Sequence, residues 1–133
     1  MTSSLNIELI KRHDLEVGSF YFCKNHIVAG VNEGHAFTSK KAYQVLELGK
    51  AHDGNARPLV YISNRVNSYS FNPTAHFKTQ AMFHNLKGYA IVTYDEMNLE
   101  IAEMEQTFLN NPIAIFHKLR DTLKWAEELI LTD

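Results

Sequence analysis

A chain of 133 residues is long enough for one domain with a full hydrophobic core and short for two. Its apolar content of 45% and charged content of 21% exclude a disordered or fibrous chain. A formal net charge of −2, with no run of Lys and Arg, excludes an electrostatic case for nucleic acid or an anionic membrane surface.

Cys23 is the sole cysteine, so no intramolecular disulfide can form, which fits a reducing compartment. The first six residues lack the basic and apolar regions of a signal peptide, and no apolar run approaches a membrane span. The expectation is one cytoplasmic domain over residues 1–133, without membrane insertion.

Residues 5–12 alternate in polarity and predict a strand, with His13-Asp14 as the turn after it. Residues 15–23 predict a second strand, with Gly18 as a bulge position. Lys24-Asn25 joins it to a third strand from His26, and the two-residue link predicts an antiparallel hairpin. Thr38 or Ser39 can cap a helix with Ala42, Val45, Leu46 and Gly49 on one face. Gly54 suits the end of that helix.

Pro58-Leu-Val-Tyr-Ile-Ser63 is nearly continuous in apolar residues, as in a strand covered on both faces. Asn72-Pro73 opens a helix expected to run to about Asn85. Residues 89–94 predict another buried strand, and Asp95 caps a helix carrying Met97, Ile101, Met104 and Phe108. Residues 112–116 predict a short strand and 118–131 a last helix. The order is three strands, then three strand-helix units after the first helix. Alternation at this spacing predicts a parallel sheet, with the hairpin adding antiparallel strands at one side.

The strongest candidate site is the 63–73 segment: Ser63, Asn64, Arg65, Asn67, Ser68, Tyr69, Ser70 and Asn72. Ligands of open α/β sheets sit beyond the carboxyl ends of parallel strands. A helix starting at Pro73 would direct amide donors there, and Arg65 could contact a carboxylate or phosphate in bidentate fashion. The competing reading is a capped loop whose polar groups satisfy the backbone.

The seven histidines, at 13, 26, 35, 52, 76, 84 and 117, show no His-x-x-x-His spacing, and no metal or cofactor is expected. Cys23, in a predicted strand, reads as a buried inert thiol. Glu100, Glu103 and Glu105 read as solvated charge on a helix surface. Tyr69, Phe71, Phe77 and Phe83 read as core; any that were exposed would form an apolar patch for a partner or a second copy of the chain.

The segment Pro112-Ile-Ala-Ile-Phe116-His-Lys-Leu-Arg-Asp-Thr-Leu-Lys-Trp125-Ala resembles the end of the SpoIIAA-like (STAS/Sec14-type) family, where a strand ending in Phe precedes a helix carrying Trp. The strand and helix order resembles that family over nearly the whole chain. The resemblance implies a mixed sheet of four or five strands with parallel central strands and an N-terminal antiparallel hairpin. It also implies four helices packed mainly on one face.

The same resemblance implies a regulatory or ligand-binding module more often than an enzyme, with some lipid-binding relatives. In one branch a Ser in an Asp-Ser-Ser-Gly pattern is phosphorylated. Here Asn67-Ser68-Tyr69-Ser70-Phe71 occupies that place without the Asp and Gly, leaving Ser68 and Ser70 as candidates. The expected partner is a protein or a small anionic ligand, with a homodimer as a further reading. The alternative is a small-molecule or lipid carrier, or a small enzyme, with a pocket beside the same loop.

Overall fold

The computed structural model describes residues 9–23, 25–34, 36–53, 58–66, 70–71, 86–108 and 113–131. Eight strands and three α-helices lie among them. In chain order these are β1 (Leu9–Leu15), β2 (Gly18–Cys23), β3 (His26–Val31), β4 (Ala36–Phe37), α1 (Ser39–Asp53), β5 (Leu59–Arg65) and β6 (Ser70–Phe71). They are followed by β7 (Leu86–Thr93), α2 (Glu96–Glu105), a 3-10 turn at Gln106–Phe108, β8 (Ile113–Phe116) and α3 (Leu119–Leu131).

Six strands form one sheet in the order β1-β2-β3-β5-β7-β8. β1, β2 and β3 are antiparallel, and β3, β5, β7 and β8 are parallel. The sheet exceeds the four or five strands implied by the resemblance. β4 and β6 pair separately and in parallel, Ala36 with Ser70 and Phe37 with Phe71. Of the four helices expected, three lie among the described residues; the one predicted from Pro73 falls outside them.

Side-chain alternation along the strands divides the core between two faces. Phe20, Phe22, Ile27, Ala29, Tyr61, Tyr89 and Ile91 point to one face and pack with Val45 and Leu46 of α1 and Ala102 of α2. Val28, Val60, Ile62, Ala90 and Val92 point to the other, under Ala126 of α3 and its apolar neighbours. Two of the three described helices, α1 and α2, therefore share one face, as expected, and α3 covers the other. The physical cause is that β5 and β7 are apolar on both sides, and an uncovered second face would leave that surface wet. Each buried Phe, Ile or Val contributes about 1.5–3 kcal/mol relative to exposure.

The Phe116–Trp125 pair that carried the family resemblance is a packing contact, with ring centroids 5.6 Å apart and planes at 50°. Gly88 makes room for it. A Cβ there would lie 2.6 Å from Leu129 Cδ2 and 2.9 Å from Trp125 Cη2. Thr122, buried in the same helix, turns its hydroxyl back to the Lys118 carbonyl at 2.9 Å.

The first turn sits later than expected, at Glu16-Val17, because β1 continues through His13 and Asp14. Those residues are held along the strand: Arg12 Nε and Ser19 Oγ both donate to Asp14 Oδ1, at 2.8 and 2.7 Å. The two bonds, Ser19 first, hold the Asp14 carboxyl below its usual range. Gly18 is not a bulge; it pairs in register with Leu15 and Val31, and the irregularity falls between Leu9 and Lys11.

His26, at the start of β3, is 7% exposed, and its Nε2 has no hydrogen-bond partner among the described residues. Burial holds the imidazole below its ordinary titration range. The unfolded chain therefore takes up the proton first. Stability is complete above the unfolded value, about pH 6.5, and falls as the pH drops through it towards the lowered folded value. In urea titrations, His26→Phe should flatten the stability loss below about pH 6.5. An unchanged slope there would show that His26 does not set it.

Candidate functional site

The carboxyl ends of β5, β7 and β8 form one edge of the sheet. Register places Asn64 beside Val92 and Arg65 beside Thr93, while Val92 pairs with Phe116. Asn64 and Arg65, expected in a loop after a strand ending at Ser63, instead continue that strand, so that Ser63, Asn64 and Arg65 are the last three residues of β5. They extend the strand because each finds a partner within the fold.

Arg65 is 2% exposed and forms a bidentate ion pair with Glu105 at the end of α2. Its Nη1 donates to Glu105 Oε2, its Nη2 to Oε1 at 2.8 Å, and its Nε to Ser63 Oγ at 3.0 Å. Glu105 has no exposed surface. The reading of Glu105 as solvated charge is thus corrected, whereas Glu100 and Glu103 do lie exposed. Guanidinium and carboxylate match in shape, and two such ions leave water only when both forks are filled. The arrangement ties the end of β5 to the end of α2 and engages the guanidinium inside the fold.

Alternation sends Asn64 to the opposite face, half-buried, where its Oδ1 accepts the Tyr94 hydroxyl at 2.7 Å. Partial burial raises the Tyr94 phenol above its usual range. Val66 and Tyr94, the first residues beyond β5 and β7, are 64% and 48% exposed. His117, the first beyond β8, has Nδ1 3.4 Å from both the hydroxyl and the carbonyl oxygen of Thr93.

Thr93, Tyr94, Asp95, Glu96, Leu99 and His117 line an open cleft of about 310 Å³ at this edge. A larger hollow of about 620 Å³ runs along α3 between Lys118 and Leu131, but side chains of mixed charge from α3 and the residue before it line it. The cleft lies where parallel sheets place ligands, and the α3 hollow does not.

Of the residues chosen from sequence, the structure brings Ser63, Asn64 and Arg65 together at the end of β5, with Ser63 and Arg65 turned into the fold. Ser70 lies in β6, beside Ala36. Asn67, Ser68, Tyr69 and Asn72 fall outside the described residues. Tyr94, Glu96 and His117 were missed as site residues. Their signal was positional, since each falls within three residues of the end of a predicted strand. Among the described residues, no group of three or more His, Cys, Asp or Glu is placed to hold a metal ion. Cys23 is buried, and burial raises its thiol pKa.

The architecture is a mixed α/β sheet, antiparallel at its N-terminal side and parallel through its centre. It is similar to the crystal structure of an uncharacterized protein from the DUF3478 family with a SpoIIAA-like fold, from Shewanella loihica PV-4. That likeness has a TM-score of 0.52 at 16% identity and covers 95% of this chain and 98% of the other. The chain has a SpoIIAA-like fold. No family model matches the sequence, and no curated protein matches it. Among the described residues, no helix is long and apolar enough to cross a membrane.

Proposed function

We propose that the chain is a non-enzymatic regulatory or partner-binding module. Its working surface is the carboxyl edge of the parallel strands, including the 63–73 segment. The observation that carries this reading is the contrast at that edge between a fixed interior and an exposed rim. Arg65, Ser63 and Glu105 lock the strand end from inside, while Val66 and Tyr94 stand out in solvent beside an open cleft. A rigid base with exposed apolar and aromatic side chains is what a docking surface needs, because little conformational entropy is lost on contact. A carrier would use a deep apolar pocket ringed by Arg65; that guanidinium is instead buried against Glu105.

The test is affinity capture with the intact chain, comparing wild type with Val66→Asp/Tyr94→Ala and with a remote control, Leu131→Asp. A partner should be retained by wild type and the control and lost from the edge variant, with all three melting alike. Equal retention by all three proteins would remove the edge from consideration.

A further inference from the structure

We infer that the open flank of β8 pairs antiparallel with the same strand of a second copy of the chain, across a two-fold axis at Ile115. The inference is separate from the partner-binding reading above, which concerns the carboxyl ends of the strands and not the flank of the sheet.

The sheet order puts β1 at one margin and β8 at the other. A margin strand offers unpaired amides and carbonyls to any other strand, and proteins guard such margins with charge, proline or a covering segment. β1 is guarded in this way, since Lys11, Arg12 and Asp14 stand exposed along it. β8 is Ile-Ala-Ile-Phe, without charge or proline, and each of its residues is half-buried.

The hydrogen bonds identify which groups are open. Along a strand, successive residues direct their N–H and C=O to opposite sides. Ile113 N donates to Gln106 Oε1 at 2.7 Å, so Ile113 faces away from β7. By alternation Ile115 faces away as well, while Ala114 and Phe116 face β7, with which the strand is in continuous register. Gln106 therefore occupies one outer donor. Among the described residues, the Ile113 carbonyl and both backbone groups of Ile115 have no hydrogen-bond partner on that side. An extended backbone is the ligand that fits such a row.

The side chains favour a second copy in one register. With Ile115 opposite Ile115, the two residues exchange N–H···O=C bonds, and each Ile113 carbonyl is placed to accept the His117 amide of the other copy. This register uses the open groups and leaves the Gln106 bond intact. Ala114 then falls opposite Phe116 on the α3 face, a small side chain against a ring already packed on Trp125. No like charges meet within the paired strands. Apolar surface continues beside the strand, because Met104, two residues before Gln106, is 69% exposed. A two-fold pairing occupies the β8 flank of both copies, and the charged β1 margins do not extend it, so assembly stops at the dimer.

The experiment follows the mass of the intact chain by sedimentation velocity from about 10 μM to about 1 mM, a range that registers weak association. The mass should rise from that of one chain towards that of two. In a mixture of isotopically labelled and unlabelled chains, intermolecular NOEs should connect the Ala114 methyl group to the Phe116 ring. Ile115→Pro removes an outer N–H and no bond to β7, a change that margin strands tolerate. It should weaken dimerisation roughly tenfold or more, as the loss of two hydrogen bonds implies. A single-chain mass throughout the range would overturn the inference. So would a dimer without the Ala114–Phe116 contact, or one that a folded Ile115→Pro variant forms as readily as wild type. If Ile115→Pro fails to fold, the labelled wild-type mixture decides by itself.

Discussion

Glu105→Ala should destabilise the chain by about 3–5 kcal/mol, measured by urea unfolding with the slope of the transition unchanged. The side chain has no exposed surface, and its two oxygens fill the fork of a guanidinium that is itself 2% exposed. Removing the carboxylate strands a buried cation, which is far more costly than losing a surface ion pair. Whole domains are stable by only about 5–15 kcal/mol, so this substitution approaches the limit of folding. Glu105→Gln keeps the shape and one acceptor, and should retain part of the loss and remain measurable.

Arg65→Ala should cost a similar amount, and Arg65→Lys should not rescue it, because an ammonium cannot reproduce the fork. The combined change Arg65→Met/Glu105→Leu should recover most of the stability, since replacing both ions by apolar groups removes their desolvation cost. A loss below about 1 kcal/mol for Glu105→Ala would be the behaviour of an exposed pair and would contradict the burial described here. Any binding experiment that uses Arg65→Ala must therefore be read together with its melting curve.

The Arg65–Glu105 pair also marks where the sequence stops being legible. Its partners are 40 residues apart, and nothing local to either announces the other. Ser63-Asn64-Arg65 follows an apolar run and has the composition of a loop, so propensity argues for ending the strand there. Burial with a partner from α2 overrides it. Glu105 likewise shares its helix with exposed Glu100 and Glu103, and only its place one turn beyond buried Ala102 distinguishes it.

The features that were legible depend on patterns within a single element. The runs at 59–62 and 89–92 are apolar on both alternations, which requires a strand covered twice. Leu119, Leu123, Ala126 and Ile130 recur at helical spacing and define the α3 face. The β4–β6 pair was beyond reach because two residues on each side carry no period. At the candidate site, the edge itself was legible from strand order. The direction in which Arg65 points was not, because it is set by register and by α2.

Gly18→Ala should lower stability by about 1–3 kcal/mol or more, against the usual expectation that alanine in a strand improves on glycine. Gly18 opens β2 and is paired on both sides, with Leu15 of β1 and Val31 of β3. A Cβ there would lie 2.2 Å from the Gly30 carbonyl oxygen and 2.8 Å from Val31 Cα. Both are backbone atoms, so no side-chain rotation relieves the clash; β2 and β3 must separate. The turn beside it cannot absorb that movement freely. Asn32 N donates to the Val17 carbonyl at 2.8 Å and Asn32 Nδ2 to the Glu16 carbonyl at 3.2 Å, clamping β3 to the turn. Phe20 and Phe22, both fully buried, follow on the same strand, so displacement of β2 also loosens the core. Gly30 provides the control, because a Cβ there would meet only the Ser19 carbonyl oxygen at 3.6 Å, an ordinary contact. Gly30→Ala should leave stability unchanged or raise it by up to about 1 kcal/mol through reduced backbone entropy. Thermal unfolding of the two variants side by side decides the matter: similar midpoints would mean that the close approach at Gly18 does not constrain the hairpin, and a drop confined to Gly18→Ala would mean that it does.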